Sequence, residues 1–245
     1  LGITNLQELE VAALGKRLRE LPGIGVKTEQ AILHSLKTHA LHRRRLLLHH
    51  AFAFAGEIES YLKNKLPGMA GLQIAGSLRR GKETVGDLDF AAAADDPAPL
   101  VDAFRTGPFV QDVVAAGDVK VTVMTKWGIQ ADLLVVQPEF FASVLQHLTG
   151  SKEHNVALRE IARDQGFKIS EYGISCDDRV TAPATEEELY RQLGMNYIPP
   201  ELREGRGEIE AAQNGILPDL LEADDIKGDL HVHSEWSDGV NTLEE

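Results

Sequence analysis

The chain has 245 residues, 43% of them hydrophobic, enough for one large domain or two to four small ones. No apolar run approaches the roughly 20 residues that span a bilayer, and no secretory pattern opens the chain. A lone cysteine, Cys176, excludes an internal disulfide and fits a reducing, cytoplasmic setting. The net charge of −13 argues against nucleic acid as an average, but it is unevenly placed. Residues 1–45 hold 8 Lys/Arg against 4 Asp/Glu, whereas residues 186–245 hold 4 against 16.

In chain order, residues 5–20 read as a helix capped by Asn5 or Thr4, with Leu6, Leu9, Ala13 and Leu14 on one face. The stretch LPGIGVKTEQAILHSL gives a turn and a second helix, and residues 43–66 a longer one ended by Pro67-Gly68. Strand-like runs follow at 72–77, 87–94, 120–125 and 129–136, and their spacing predicts one mixed or antiparallel sheet. PAPLVDAFRT between them reads as a crossing helix. Beyond Pro138 come two helices, short strands, a TEEELYRQL helix and a Pro-Pro turn. The chain opens without methionine and stops inside what reads as a helix start, so an interior piece of a longer protein is expected.

LPGIGVKTEQAI places Gly23 and Gly25 just before a helix, as in the hairpin of a helix-hairpin-helix. Glycines admit a close backbone, and the N–H groups at a helix start can hold a phosphate, with Lys27 adding charge. Such contacts grip a nucleic-acid backbone without reading sequence. An ordinary helix corner with glycine caps is the competing reading.

The stretch GSLRRGKETVGDLD (76–89) gathers positive charge and then pairs two carboxylates. Asp87 and Asp89 are one residue apart on a predicted strand, so they leave the same face. Carboxylates held close repel unless a cation lies between them, and oxygen ligands suit Mg²⁺ or Mn²⁺. Asp132 is the lone charge in the apolar run IQADLLVV and needs a partner. If the strands are neighbours, the three converge and could hold two ions, the arrangement that phosphoryl and nucleotidyl transfer use. Ser77 and Arg80 would donate to phosphate oxygens. A polar turn and a structural Asp pair would look the same from Asp-x-Asp alone. Gly-Ser ten residues upstream and the strand Asp downstream favour catalysis.

These residues resemble the nucleotidyltransferase motif of family X DNA polymerases, the DNA polymerase beta family, over nearly the whole chain. The resemblance implies an α+β fold: helix-hairpin-helix fingers (1–47), a nucleotidyltransferase palm (48–138), an α+β thumb (139–222), and a linker with the start of a PHP metal-dependent phosphoesterase domain (223–245). It implies that Asp87, Asp89 and Asp132 are the catalytic metal ligands. Gly76, Ser77, Arg80, Gly86 and, in looser register, Arg45 would bind the triphosphate. Gly23, Gly25 and Lys27 would grip the primer strand. In LTGSKEHNVALRE, Asn155 would meet the incoming base and Arg159 the template side. Two departures stand out. The family's aromatic pair before Thr-Gly-Ser, which packs against the sugar, is His147-Leu148 here, and Lys152 replaces an acidic residue of the vertebrate enzyme.

In the tail, GDLHVHSEWSDG carries His231 and His233 followed by Asp238, a spacing that suits imidazole ligation of Zn²⁺ or Mn²⁺ from a strand end. It looks like the opening motif of a PHP domain, which in bacterial family X polymerases is linked to 3′–5′ exonuclease activity. His34, His39, His42, His49 and His50 show no ligand spacing and read as surface or helix-packing residues. Trp127 and Trp236 read as packing groups.

The expectation is a monomeric cytoplasmic, nucleoid-associated enzyme that adds dNTPs to gapped or primer-template DNA. The rivals are a PHP-type phosphoesterase with the upstream part as a DNA clamp, and a non-catalytic DNA-binding scaffold. Other nucleotidyltransferases share Gly-Ser and Asp-x-Asp. The glycine hairpin and the thumb segment favour the DNA enzyme.

Overall fold

The apolar alternation between residues 71 and 136 builds a five-stranded mixed sheet. A computed structural model describes residues 1–33, 45–176, 179–228 and 230–242. The strands are β2 (Gly71–Ile74), β4 (Asp87–Ala93), β5 (Val110–Ala116), β6 (Lys120–Thr125) and β7 (Gln130–Val136), in the order β2-β4-β7-β6-β5. Only β4 and β7 run parallel; the other neighbours are antiparallel. A parallel pair needs a crossover, and it is supplied by helix α5 (Ala98–Arg105), the predicted crossing helix, followed by β5 and β6.

One face of this sheet carries the main core. Helix α3 (Leu48–Lys65) repeats small and branched apolar residues at helical spacing, and buries Ala51, Ala55, Ile58 and Leu62 completely. With Leu100, Ala103 and Phe104 of α5, they cover Leu88 and Phe90 of β4 and Ala131, Leu133 and Val135 of β7. Truncating Ile58 or Leu62 to Ala would cost about 2–5 kcal/mol. The opposite face is covered over only part of its length. Helix α6 (Phe141–Thr149) packs Val144 and Leu145 on Ala75 and Ala91, beside Leu134 and Val136.

The rest of the first compact unit, Leu1–Gly215, flanks this sheet. At its start, helix α1 (Leu6–Leu14) and helix α2 (described over residues 26–33) bury Ala12, Ala13 and Leu18 against Ile24, Ile32 and Leu33. A two-stranded ribbon pairs β1 (Leu46–Leu47) with β3 (Thr84–Val85), and helix α4 (Gly76–Arg79) follows β2. After α6 come helix α7 (Lys152–Asp164) and a three-stranded antiparallel sheet of β8 (Lys168–Ser170), β9 (Gly173–Cys176) and β10 (Arg179–Thr181). Helix α8 (Glu186–Gln192), a 3-10 turn at Pro200–Leu202 and helix α9 (Glu208–Asn214) complete it. The second unit, Ile216–Glu245, holds a single 3-10 turn, Ala223–Asp225, among its described residues.

The α+β expectation and the mixed sheet hold, and four local expectations are corrected. The 5–20 helix breaks after Leu14, because Gly15 caps it and Lys16 turns left-handed at φ 59°. Its buried side is set by Ala12 and Ala13, leaving Leu6 and Leu14 exposed. The expected strand at 72–77 stops at Ile74, because Gly76 at φ 58° starts the turn into α4. The long helix starts only at Leu48, because Leu46 and Leu47 pair with Val85 and Thr84. Strand β5 was not predicted. Its burial pattern is mostly exposed, which weakens its apolar signal. Residues 43 and 44, and His34, His39 and His42, lie outside the described residues. His49 and His50 are on the surface, as read.

Candidate functional site

The phase of β4 and β7 decides where the carboxylates go. Along β4, Leu88 and Phe90 point into the core, so Asp87 and Asp89 point to the other face. Along β7, Ala131 and Leu133 are buried and Asp132 shares the face of Gln130. The parallel register sets Asp89 beside Asp132 and Asp87 beside Gln130. Because α6 packs on the Ala91, Leu134 and Val136 end of this face, the acidic end is left half-buried rather than sealed. One carboxylate oxygen from each of Asp87, Asp89 and Asp132 lies within 4.8 Å of the others. Among the described residues this is the one group of three His, Cys, Asp or Glu side chains close enough to share an ion.

The local electrostatics are those of crowded anions. Burial pushes the Asp89 carboxyl up, Asp87 and Asp132 push it further, and Lys120 and Arg80 only partly offset them, leaving it at about 7. A divalent cation among these oxygens would remove that penalty, so the donor set fits a hard metal ion. Asp132 is held in place by Thr122, its cross-strand partner, whose hydroxyl donates to Oδ1, and by Gln130 Nε2, 2.8 Å from Oδ2. Sequence reasoning missed both. The strand alternation could have found Gln130, two residues before Asp132.

The Gly-Ser turn fits against this cluster. A Cβ on Gly76 would overlap Asp89 Oδ2, so only glycine lets α4 start this close. Ser77 lies in the same turn. Arg80 closes α4 and sends Nη1 to the carbonyl of Thr149 (2.7 Å) and Nε to Glu204 (2.8 Å), while Lys82 Nζ lies 3.1 Å from the same carboxylate. Arg79 turns away to Thr149 Oγ1 (2.8 Å) and a two-toothed contact with Glu186 at 3.1 and 2.5 Å. Glu186 also takes Nη1 of the fully buried Arg203 at 2.6 Å. Nothing in the sequence marked Glu186, Arg203 or Glu204. Arg45 reaches Thr84 through Nε (2.8 Å) and Nη2 (2.6 Å), and a Cβ on Gly86 would sit 3.1 Å from its Nη1. Arg45 and Gly86 therefore meet just before Asp87.

The thumb-like residues are arranged differently. Asn155 is buried: its Oδ1 accepts from Gln146 Nε2 (2.9 Å) and its Nδ2 donates to the carbonyl of His147 (2.7 Å). It braces the turn at Gly150, where a Cβ would lie 2.5 Å from Asn155 Oδ1. Arg159, one turn further along α7, is exposed and lines an open groove of about 940 Å³ with His147, Lys168 and Tyr172.

In the N-terminal hairpin, Gly23 is left-handed at φ 87°, and Gly25 accepts the first bond of α2, from the N–H of Glu29 at 3.0 Å. A Cβ on either glycine would meet nothing within 4 Å. Lys27 is exposed. Behind the turn, Glu29 is buried and its Oε1 accepts from Arg19 Nε at 3.0 Å.

In the second unit, His233 turns Nδ1 to Asp238 and Nε2 to His231 Nε2 at 3.1 Å. No strand carries the pair among the described residues, against expectation. Trp236 is 82% exposed, so its reading as a packing group is corrected. Trp127 does pack, stacked on Phe54 with centroids 4.3 Å apart.

Residues 144–204 match the family described as DNA polymerase beta thumb. Over the whole chain, 37% of residues are identical to the DNA polymerase/3′–5′ exonuclease PolX of Bacillus subtilis (strain 168), 43% of which is covered. DNA polymerase lambda of Rattus norvegicus is 26% identical over 53% of the chain and 28% of its own length. The DNA-directed DNA/RNA polymerase mu of Homo sapiens is 33% identical over 31% of the chain and 16% of its own length. The chain thus spans less than half the length of these curated relatives. The similarity to the Bacillus subtilis protein runs over the full length of this chain, and that to DNA polymerase lambda over about half of it. No helix among the described residues is long and apolar enough to cross a membrane.

Proposed function

We propose that this chain is the core of a family X DNA polymerase, adding dNTPs to a primer 3′-hydroxyl in short gaps during DNA repair. The observation that carries the proposal is the convergence of Asp87, Asp89 and Asp132 within 4.8 Å, beside the turn that begins at Gly76. In this reading, Asp87, Asp89 and Asp132 would together hold the divalent ions, with Asp132 the carboxylate nearest the primer hydroxyl. Mg²⁺ or Mn²⁺ bound there would lower the pKa of that hydroxyl and neutralise charge on the triphosphate.

The protein's own contribution is positioning. Thr122 and Gln130 fix the Asp132 carboxylate. Gly76 and Ser77 bring backbone and hydroxyl close to the phosphates, while Arg80 and, at the far edge beside Gly86, Arg45 neutralise them. The hydroxyl oxygen bonds to the α-phosphorus, the bridging oxygen leaves with pyrophosphate, and the hydroxyl proton is released. The α7 segment would lie over the nucleotide with Arg159 toward the template, and Asn155 would meet the base only by giving up its bonds to Gln146 and the His147 carbonyl. The hairpin at Gly23, Gly25 and Lys27 holds the primer backbone. The open space around Gly25 supports this, because no internal neighbour and no left-handed backbone demands glycine there, whereas Gly23 is already required by its φ of 87°.

We assign four regions: fingers to residue 47, palm to 138, thumb to 222, and then a linker and the start of a PHP domain. In the longer protein, His231, His233 and Asp238 would contribute to a Zn²⁺ or Mn²⁺ site serving a 3′–5′ exonuclease. The enzyme would act as a cytoplasmic, nucleoid-associated monomer. The test is extension of a one-nucleotide gap with each dNTP and rNTP, under Mg²⁺ and then Mn²⁺. Extension by one templated nucleotide is expected. Shortening without extension would instead make the PHP domain the working part. Binding with neither, and with no dependence on divalent ions, would indicate a DNA-binding scaffold.

A further inference from the structure

Arg79 and Arg80 are consecutive, yet the acids that hold them differ in how firmly they are fixed. Glu186 is almost fully buried and shared between Arg79 and Arg203, so withdrawing it would strand a buried guanidinium. Glu204 is backed by no such partner. It sits on the loop after the 3-10 turn at Pro200–Leu202, its side chain is 18% exposed, and the Lys82 ammonium it meets is 37% exposed. Its grip on Arg80 is also one-toothed. Only Nε reaches the carboxylate, Nη1 goes to the Thr149 carbonyl, and Nη2 makes no hydrogen bond among the described residues. A guanidinium offers a carboxylate or a phosphate two parallel donors when geometry allows. Here the second pair is unmade.

A phosphate group could therefore take from Arg80 what Glu204 does not, and meet Lys82 as well. We propose that Glu204 is a built-in competitor for the incoming triphosphate. Its carboxylate occupies the anion position between Arg80 and Lys82 and must yield it to the β- and γ-phosphates. This rests on the polymerase reading of the site. The consequence is a threshold: ligands with one anionic group exchange poorly for Glu204, and polyphosphates exchange well because they satisfy both cations at once.

The experiment compares the parent protein with Glu204→Gln and Glu204→Ser, and with Glu201→Gln, in the adjoining 3-10 turn, as a charge-matched control. It measures the KM for a dNTP in gap filling and the inhibition constant of pyrophosphate, which has the phosphates without base or sugar. A mostly buried pair with Arg80 (side chains 12% and 18% exposed) and a partly exposed pair with Lys82 predict that both constants fall about three- to tenfold in the Glu204 variants, with kcat not reduced. The control should leave both unchanged. Raised or unchanged constants, or loss of folding in both Glu204 variants, would make Glu204 a structural brace and overturn the proposal. A parent protein that adds no nucleotide would overturn the polymerase reading instead. Calorimetric binding of pyrophosphate to parent and Glu204→Gln would then still decide the role of Glu204, by the same fold-change.

Discussion

Two clusters of charge adjoin the 76–82 segment and are built on opposite plans. The triad of Asp87, Asp89 and Asp132 gathers like charges, and Asp89 is driven up to about 7 as a result. The cluster of Arg79, Glu186 and Arg203 gathers opposite charges. Burial alone would raise Glu186, but hydrogen bonds and charge from Arg79 and Arg203 more than offset it, and its pKa falls. The second cluster balances itself and joins α4 to α8, elements more than a hundred residues apart. The first leaves an excess of negative charge at a half-buried end of a sheet face. A protein keeps such an unbalanced site only where something else supplies the balance, and here a divalent cation is the fitting counter-charge.

The comparison can be broken most decisively at Asp132. Asp132→Ala should lower primer extension at least a thousandfold while leaving DNA binding within about twofold, since positioned charge supplies most of the rate in this chemistry. Gap-filling and mobility-shift assays check it, and normal extension would sink the site.

Next in size is Glu186→Ala, expected to destabilise the fold by about 3–5 kcal/mol by leaving Arg203 buried without its partner. Urea denaturation measures this, and a loss under 1 kcal/mol would mean that the paired cluster is not structural.

The opposite sign is expected at Asp89. Its folded pKa of about 7 lies above its ordinary 3.8, so its contribution to stability is full below pH 4 and is lost as pH rises through 7. In metal-free protein, Asp89→Asn should therefore be more stable than the parent by about 1–3 kcal/mol near pH 8, with the gain gone near pH 4. A gain that does not depend on pH would contradict the like-charge account.

The smallest effect concerns the hairpin. Gly25→Ala and Lys27→Ala should each weaken DNA binding a few-fold, Lys27→Ala with a shallower salt dependence, while the melting temperature stays within about 2 °C. Weakened folding without weakened binding would return this turn to an ordinary helix corner.

Much of the acidic end of the sheet was legible because strand periodicity is local. Leu88 and Phe90 fix the face that Asp87 and Asp89 occupy, and the apolar neighbours of Asp132 do the same on β7. The edge strand β5 was not legible, since its exposed residues give no alternation to read. The break in α1 at Lys16 was hidden for a related reason: a left-handed non-glycine residue leaves no mark in composition. Asn155 shows a further limit. The sequence placed it in the right segment, but its bonds to Gln146 and the His147 carbonyl depend on how α6 and α7 pack.

The sequence by itself determined the chemical types at the site, the phase of the two carboxylate strands and the glycines that let backbones approach, because each follows from neighbours within a few residues. Only the tertiary structure decided that β4 and β7 are adjacent and parallel, setting Asp89 beside Asp132. It also decided that Arg79 and Arg80 answer to Glu186 and Glu204, 107 and 124 residues away. Such pairings are fixed by the packing of whole elements on a shared core, and no short-range pattern encodes them.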